Sequence, residues 1–456
     1  MQSNPTRAAL GSRRMRDALR QPAVTAAFPI VEHLVQDRRK RLLATRVAAR
    51  ANARHTGALV TLAALEGTRG RFDEVERLCR CALALVPGMR SARCNLALAL
   101  LEMGRHEEAE RILDAMLAAD YADAEAHWLR AASRLARGTL SCGWAEFDWR
   151  WRLPNAPLPE VPVAREWSNT PVRGRHLWLW PEPRLHDQVV FLSMLPDLLA
   201  RQADLTVECD PRLISLLRRS FPAVRFVAER ADDRADGRAE LSPACDFQLP
   251  FGSLAGVLRP DIAAFPKRTG YLVANTEEQM RWRAWLNGLG GGLKVGIVLR
   301  SDDPNAQSGP NCPRARQWLP LLRRDRVHFV CLQADACSAR VDESVAGSNV
   351  RLHHPPGLDR SKDLDALCAL TTTLDLVIAA PSAAGAIAGA AGVPTWQLNS
   401  GIDWHGLNQP YSPWQPSVRR FYKPWDRSWD EELQRVAAEL DRIAARPSAA
   451  RSRQQA

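Results

Sequence analysis

Lysine is scarce in this sequence of 456 residues, and long apolar runs are absent. Only five lysines occur, so the formal net charge of +11 comes almost entirely from arginine. No uninterrupted apolar run approaches the roughly 18 residues that a membrane-spanning helix needs, which excludes a chain built on such spans. The Arg-rich start of the chain also lacks the apolar stretch of a secretory signal. We therefore expect a cytoplasmic protein with a basic, flexible arm at residues 1–28 and a disordered tail at 447–456.

The ten cysteines are scattered through the chain without a metal-binding spacing. No Cys-x-x-Cys pair occurs, and no arrangement of cysteine and histidine matches a zinc motif. Most of the cysteines fall within apolar patterns, which is typical of small, reduced core residues. The cysteine pattern therefore predicts reduced side chains and no structural metal.

The basic balance is compatible with three kinds of partner, namely nucleic acid, an anionic membrane surface or a phosphorylated ligand. None of the usual nucleic-acid-binding motifs is present, so the sequence does not indicate a nucleic-acid partner. We interpret most of the charge as arginine on a solvated surface, together with a local site for an anionic ligand.

A 34-residue period is the clearest positive signal, because Gly70, Gly104 and Gly138 follow one another at this spacing. The apolar positions around the glycines recur with the same period. A 34-residue repeat with glycine between two helices is the tetratricopeptide (TPR) signature. Such hairpins stack and leave a concave surface that holds a peptide or protein partner. We predict TPR-like repeats over residues 29–152, with capping helices at 29–54.

Beyond the repeats, the pattern changes to short apolar strands that alternate with helices. A proline-rich stretch from Pro154 to Pro171 predicts an extended linker. Strands are predicted at 176–180, 205–209 and 224–228 in a first unit, and at 294–299, 328–332, 349–352, 375–380 and 394–398 in a second. Alternation of this kind predicts parallel sheets with helices on both faces.

Two such units predict two Rossmann-like lobes, one at 153–280 and one at 281–446, with a cleft between them. In open α/β sheets, ligands bind beyond the carboxyl ends of the strands. The site is therefore expected on the loops that follow Trp180, Leu299 and Ala380 and face each other across the cleft.

Four segments, taken in order, resemble a known arrangement: 143–151, 180–187, 374–396 and the pair Asp403-Trp404. Together with the repeats they look like the bacterial TPR-containing glycosyltransferases. That family has the two-lobed GT-B fold and is related to the heptosyltransferases and the protein O-GlcNAc transferases. The resemblance implies an α-solenoid followed by two Rossmann-like α/β lobes.

The family usually carries E-Q-G-L-G-D after its first strand, where this chain reads E-P-R-L-H-D from Glu182 to Asp187. Both acidic ends match, so the resemblance implies that Asp187 is the general base that deprotonates the acceptor hydroxyl. Glu182 is the second acidic candidate for a catalytic role. His186 is a rival base, because an imidazole ordinarily titrates near neutrality. A structural alternative also stands, in which Asp187 caps the helix that begins there.

A second family motif, V-D-T-A-x-A-H-L-A-G-A, follows a late strand, and here it reads A-P-S-A-A-G-A-I-A-G-A from Ala380 to Ala390. The aspartate and the histidine are replaced by proline and alanine, but the strand-to-helix turn persists. A helix N-terminus with free N–H groups is a good anion site. Ser382 and the amides of Ala383 and Ala384 are therefore candidates for binding a donor phosphate.

The two replacements bear on the nature of the donor. They weaken the case for the usual nucleotide-diphosphate sugar, since an acid and a histidine are missing. A donor with a single phosphate, such as a CMP-linked nonulosonic acid, would need fewer contacts. Several flagellin-modifying TPR transferases look similar in this respect.

Further donor-binding candidates follow other strands of the second lobe. The resemblance implies that Arg300, Arg314 and Arg316 lie beside the donor phosphate, which arginine binds well. Arginine is so abundant here that a solvated surface role is the alternative. Asp403 and Trp404 match an aromatic–acidic pair near the cleft, and the ring of Trp404 would stack on a base or a sugar. The alternative for Trp404 is a partly buried structural aromatic.

The leading hypothesis is a metal-independent glycosyltransferase that moves a sugar from a nucleotide-sugar to a protein held by the TPR repeats. Flagellin or another surface-filament subunit is the acceptor that the resemblance suggests. No cofactor is expected beyond the nucleotide-sugar itself. The competing hypothesis is a non-catalytic TPR scaffold with a degenerate transferase fold, because two glycines, an aspartate and a histidine of the two family motifs are replaced here.

Overall fold

The computed structural model describes residues 55–154, 156, 164–229, 245–301, 312–334 and 350–445. The arm predicted at 1–28, the capping helices predicted at 29–54 and the tail predicted at 447–456 lie outside the described residues.

Three helical hairpins open the described chain. Gly70, Gly104 and Gly138 adopt positive φ angles of 74°, 75° and 81°, which glycine reaches without the steric cost of a Cβ atom. Each of these glycines lies in the turn between the two helices of one hairpin, so the predicted repeat is present. The helices are α1 Thr56–Gly67, α2 Phe72–Leu85, α3 Arg90–Glu102, α4 His106–Ala119, α5 Ala124–Ala136 and α6 Leu140–Phe147.

The two helices of a hairpin differ in how much of their surface is buried. Phe72, Val75, Leu78, Cys79 and Ala82 form the buried face of α2 at helical spacing. Acidic residues occupy the first turns of α2 and α4, where they interact favourably with the helix dipole. In contrast, α1 and α3 are buried over most of their length, which explains their Ala- and Leu-rich sequences.

The first lobe contains five described strands, namely β1 Arg165–Glu166, β2 His176–Trp180, β3 Asp204–Cys209, β4 Arg225–Ala228 and β5 Phe247–Pro250. They form a parallel sheet in the order β1-β5-β2-β3-β4. The strands β2, β3 and β4 match the predicted ones. β1 lies in the segment predicted as an extended linker, and β5 has no counterpart among the predicted strands.

The second lobe contains six described strands, namely β6 Leu293–Val298, β7 Val327–Cys331, β8 Leu352–His353, β9 Leu376–Ala379, β10 Thr395–Ser400 and β11 Val418–Lys423. Their order in the parallel sheet is β11-β10-β9-β6-β7-β8. Five of these strands match predicted ones, whereas β11 does not. The fold class predicted from the sequence, a TPR-like solenoid followed by two Rossmann-like lobes, is confirmed.

Helices flank both sheets. In the first lobe and the connection between the lobes they are α7 Leu185–Phe191, α8 Leu195–Ala200, α9 Ile214–Ser220, α10 Leu254–Leu258 and α11 Thr276–Asn287. In the second lobe they are α12 Leu319–Leu322, α13 Leu364–Thr371, α14 Ala383–Ala390 and α15 Trp429–Ala444. Among the helices described, none has both the length and the apolar character needed to cross a bilayer.

The two lobes pack directly on each other through α7 and α14, and one apolar core runs from the last repeat through both lobes. Tyr271 lies in this contact, where its hydroxyl donates to the carbonyl oxygen of Val189 at 2.6 Å and accepts from the amide of Gln415 at 2.9 Å. The same Gln415 amide donates to the carbonyl oxygen of Ala386. The prediction of a cleft is therefore wrong where these two helices meet, because α7 packs directly on α14.

Candidate active site

The motif that follows β2 brings Glu182 into a buried ion pair. Its Oε1 accepts from Nη2 of Arg150 at 2.7 Å and from the backbone amide of Gly252 at 2.8 Å, and its Oε2 accepts from Nε of Arg150 at 3.1 Å. Glu182 is only 3% exposed. These contacts give Glu182 a structural role between the helical repeats and the first lobe, and its catalytic role stays a prediction.

Asp187 lies between two imidazoles at the junction of the lobes. Its Oδ1 is 3.0 Å from Nδ1 of the neighbouring His186 and 2.9 Å from Nε2 of His405, which belongs to the second lobe. Asp187 is the third residue of α7, and the helix is capped at Arg184. The alternative in which Asp187 caps this helix is therefore wrong.

The charge state of the cluster follows from its surroundings. Burial raises the pKa of Asp187, but the charges of Arg184 and His405 and the hydrogen bonds from both imidazoles outweigh burial and hold this pKa well below its ordinary value. Burial lowers the pKa of His405 despite the opposing influence of Asp187. An ionised carboxylate thus lies against a histidine that favours its neutral form.

These charge states decide which group suits proton transfer. A carboxylate with a strongly lowered pKa is a weak proton acceptor. Because a carboxylate only accepts hydrogen bonds, the nitrogens that face Asp187 carry hydrogens, which leaves Nε2 of His186 and Nδ1 of His405 as proton acceptors. The geometry therefore favours a histidine as the base and Asp187 as the group that orients it and stabilises its charged form.

The aromatic–acidic pair of the second lobe has structural contacts. Asp403 forms an ion pair with Arg420 and accepts from the amide of Gly406 at 3.2 Å, which closes a single helical turn. The ring of Trp404 contacts four other rings, those of Trp128, Phe147, Phe191 and His405. Trp404 thus joins the last repeat to both lobes, as the structural alternative predicted, and its stacking on a donor stays a prediction.

The predicted phosphate site lies at the start of α14. Ser382 precedes this helix in extended backbone, and its Oγ accepts from the amide of Gly385 at 3.2 Å as the N-cap. Ser382, Ala383 and Ala384 are 3%, 7% and 7% exposed, so little of this turn reaches solvent. The cap uses Oγ as an acceptor, so the O–H of Ser382 can still donate to an anion at this turn, together with backbone amides.

The three predicted arginines do not share one location. Arg300 follows β6, and Ser382 follows β9, which pairs with β6 in parallel. Both residues therefore lie beyond the carboxyl ends of neighbouring strands. Its backbone is held by the side chain of Gln333, whose Oε1 accepts from the Arg300 amide at 3.0 Å. Arg314 and Arg316 are exposed at a short helical turn that packs near α15. The structure therefore places Arg300 beyond the carboxyl ends of the strands, as predicted, and leaves Arg314 and Arg316 on the surface.

Sequence reasoning missed two residues of this region. His405 directly follows the Asp403-Trp404 pair, and its position in the motif was the available signal. Gln188 is buried, and its Nε2 donates to the carbonyl oxygen of Glu182 at 2.9 Å while its Oε1 accepts from the amide of Asp210 at 2.9 Å. This glutamine holds together the ends of β2 and β3, and nothing in its sequence context indicated that.

The fold and the site together describe a tetratricopeptide-repeat protein that carries two parallel α/β lobes, with an Asp–His cluster where the lobes meet. The tetratricopeptide repeat family model matches residues 68–132, which confirms the predicted repeats.

The relatives found by comparison extend this description. Protein FlbA of Caulobacter vibrioides is 32% identical over 388 residues, which is 82% of this chain, and this chain spans 64% of the length of FlbA. A glycosyl transferase family 9 structure from Veillonella parvula is 11% identical, with a TM-score of 0.43, and covers 60% of this chain and 99% of its own. The O-GlcNAc transferase mutant from Thermobaculum terrenum is 19% identical, with a TM-score of 0.33, and covers 92% of this chain and 88% of its own. The chain is thus similar to FlbA over most of its own length.

Proposed function

We propose that this protein is a glycosyltransferase that uses a nucleotide-sugar, and that Asp187, His186 and His405 supply its acid–base chemistry. One observation carries the proposal: a carboxylate of the first lobe accepts a hydrogen bond from an imidazole of the second at 2.9 Å. Clusters of titratable groups with shifted pKa values are enriched at functional sites. The cluster also lies on the hallmark loop of the family that the sequence resembles.

The chemistry is a single displacement at the anomeric carbon. The acceptor hydroxyl oxygen forms the new bond, the bond from the anomeric carbon to the phosphate oxygen breaks, and the nucleotide phosphate leaves with that electron pair. Nε2 of His186 or Nδ1 of His405 takes the hydroxyl proton, and Asp187 stabilises the resulting imidazolium. Arg300 and the first amides of α14 are the groups proposed to stabilise the leaving phosphate, with a CMP-linked sugar as the proposed donor.

The TPR hairpins are proposed to hold a protein acceptor, with flagellin or another filament subunit as the specific hypothesis, in the cytoplasm. TPR repeats commonly bind peptides or proteins along a concave surface. The last hairpin is joined to both lobes by Trp404, so an acceptor held on the repeats would have a fixed relation to the cluster at Asp187.

A non-catalytic scaffold is the second candidate, and one observation favours it. The helix α7 packs directly on α14, where a donor would have to approach the two hallmark loops. In that reading Asp187 and His405 serve only to hold the lobes together.

The decisive experiment measures donor binding and transfer separately. The intact protein is heated with UDP-, ADP-, GDP- and CMP-sugars, because a bound ligand raises the melting temperature by mass action. Transfer is then followed as a mass increase on co-purified proteins, with the wild type compared with Asp187→Asn and His405→Gln. We expect both variants to keep the donor-induced shift and to lose transfer, whereas His328→Gln, which changes a histidine on β7, retains both. If no donor shifts the melting temperature and no mass increase appears, the scaffold is supported instead.

A further inference from the structure

Three ligand atoms of the cluster lie close enough to share one ion. His186, Asp187 and His405 each offer one ligand atom, a ring nitrogen or a carboxylate oxygen, and these three atoms all lie within 4.8 Å of one another. We propose that these three side chains bind a divalent transition-metal ion that bridges the two lobes. This site goes beyond the transferase proposal, which uses no metal.

The spacing supports a shared ion. Metal bonds to imidazole nitrogen and carboxylate oxygen are about 2.0–2.2 Å long, so two neighbouring ligands on one ion are separated by about 2.8–3.6 Å, from right-angled to tetrahedral coordination. Oδ1 of Asp187 lies 3.0 Å from Nδ1 of His186 and 2.9 Å from Nε2 of His405. Small rotations of the two rings would therefore allow the two ring nitrogens and the carboxylate oxygen to bind one ion in place of the two hydrogen bonds.

The donor set determines the class of ion. Two imidazoles suit zinc, cobalt, nickel and copper, whereas magnesium and calcium prefer oxygen ligands throughout. Three protein ligands leave at least one coordination position open for water or another small ligand. The side chains of His186, Asp187 and His405 are 13%, 9% and 20% exposed, so the site is sheltered and yet accessible to a small ion.

The nearby charges act in opposite directions on such an ion. The carboxylate of Asp187 attracts it, whereas the charge of Arg184, which also acts on Asp187, repels it. Removal of the arginine charge is therefore expected to strengthen metal binding. If the cluster had only a structural role and bound no metal, removal of the arginine charge would have no such effect.

Metal binding would also change the chemistry of both histidines. Each imidazole would bind the ion through the nitrogen that now faces Asp187 and would carry its proton on the other nitrogen. Those other nitrogens, Nε2 of His186 and Nδ1 of His405, are the proposed proton acceptors of the transfer. This consequence, inhibition of transfer by the metal, rests on the proposed function, whereas the site itself does not.

Cobalt(II) titration of the full-length, chelator-treated protein tests the site. We expect a visible d–d absorption band that saturates at one ion per chain, and displacement of cobalt by zinc. His405→Gln and His186→Gln should each weaken binding at least about tenfold, and Arg184→Gln should strengthen it. His328→Gln is the matched control, because His328 lies 3.3 Å from His353 in a separate histidine pair, and it should leave binding unchanged.

Several results would overturn the metal site. These are the absence of a saturable band, a band that both cluster variants retain, or a band that is lost in His328→Gln. His186→Gln keeps the test valid if His405→Gln fails to fold, since His186 comes from the other lobe. The titration contains no sugar donor, so failure of the metal site and failure of the transferase proposal are distinguishable.

Discussion

The guanidinium of Arg150 forms a bidentate ion pair with the carboxylate of Glu182, with Nη2 at 2.7 Å from Oε1 and Nε at 3.1 Å from Oε2. Arg150 belongs to the turn that follows the last repeat, and Glu182 follows β2, so the pair ties the solenoid to the first lobe. The two side chains are 10% and 4% exposed. The guanidinium also lies 3.9 Å from the ring centre of Phe147.

Glu182→Gln should destabilise the protein strongly, because it removes the buried partner of Arg150 and leaves this arginine with Asp148, whose side chain is 51% exposed, as its counter-charge. Breaking a buried ion pair by changing one partner typically costs about 3–5 kcal/mol. Urea denaturation followed by circular dichroism measures this loss. Glu74→Gln is the matched control: Glu74 pairs with Arg77 on an exposed face, and its loss should cost at most about 1 kcal/mol. A stable Glu182→Gln that binds donor and no longer transfers sugar would instead restore the catalytic role.

Gly104 and Gly138 allow the cost of backbone strain to be separated from the cost of a steric clash in the repeats. Both have positive φ, but a Cβ atom at Gly104 would meet nothing within 4 Å, whereas at Gly138 it would lie 3.3 Å from the carbonyl oxygen of Leu407. Gly104→Ala should therefore cost about 1–2 kcal/mol from backbone strain alone, and Gly138→Ala should cost more. Gly104→Asn serves as the control and should be milder, since asparagine tolerates this conformation. Equal losses for the three variants in urea denaturation would contradict this account.

The repeats and most strands were predictable because their signals are local. The 34-residue period reports a turn that recurs in every hairpin, and strand alternation reports burial within a few residues. Contacts distant in sequence left no such signal. His405 and Asp187 are 218 residues apart, and only the packing of one lobe on the other brings them together. Glu182 likewise looked catalytic because the sequence does not show that Arg150 lies beside it.

The small residues of α14 show why the sequence alone could not decide what lies against this helix. Glycine and alanine allow a close approach of either a ligand or another part of the protein, and the sequence does not distinguish these cases. A Cβ atom on Gly389 would lie 2.4 Å from Cγ2 of Val418 and 2.5 Å from Oε1 of Gln415. The small residues of this helix therefore serve internal packing as well.

Substitutions of Trp404 test whether its ring stabilises the fold or binds the donor. Trp404→Ala should lower the free energy of unfolding by about 2–4 kcal/mol, because it removes a large, partly buried ring from the contact between the last repeat and both lobes. Trp404→Phe should recover most of that loss by keeping an aromatic ring in place. Thermal melts of the three proteins with and without donor measure both roles. An unchanged melting temperature in Trp404→Ala, combined with loss of the donor-induced shift, would show that the ring stacks on the donor after all.

Glu102, at the end of α3, should make the contact between the repeats and the second lobe sensitive to pH. Burial raises its pKa to about 7, despite a hydrogen bond from the backbone of Ile402 and the charge of Lys423. One of its carboxylate oxygens is shielded from solvent and has no hydrogen-bond partner among the described residues. The folded protein therefore holds a proton on Glu102 more tightly than the unfolded chain does.

The sign of the effect follows from this difference in proton affinity. Below the ordinary pKa of 4.5 both states are protonated, so the carboxyl carries no penalty. As pH rises from about 4.5 to 7 the unfolded chain loses the proton first, and stability falls by up to about 3 kcal/mol, at 1.4 kcal/mol per pKa unit. Glu102→Gln should therefore melt at a higher temperature than the wild type at pH 8 and at about the same temperature at pH 4.5. Glu107→Gln, on an exposed side chain, should change either melt only slightly. A Glu102→Gln gain of equal size at both pH values would refute the buried-proton explanation.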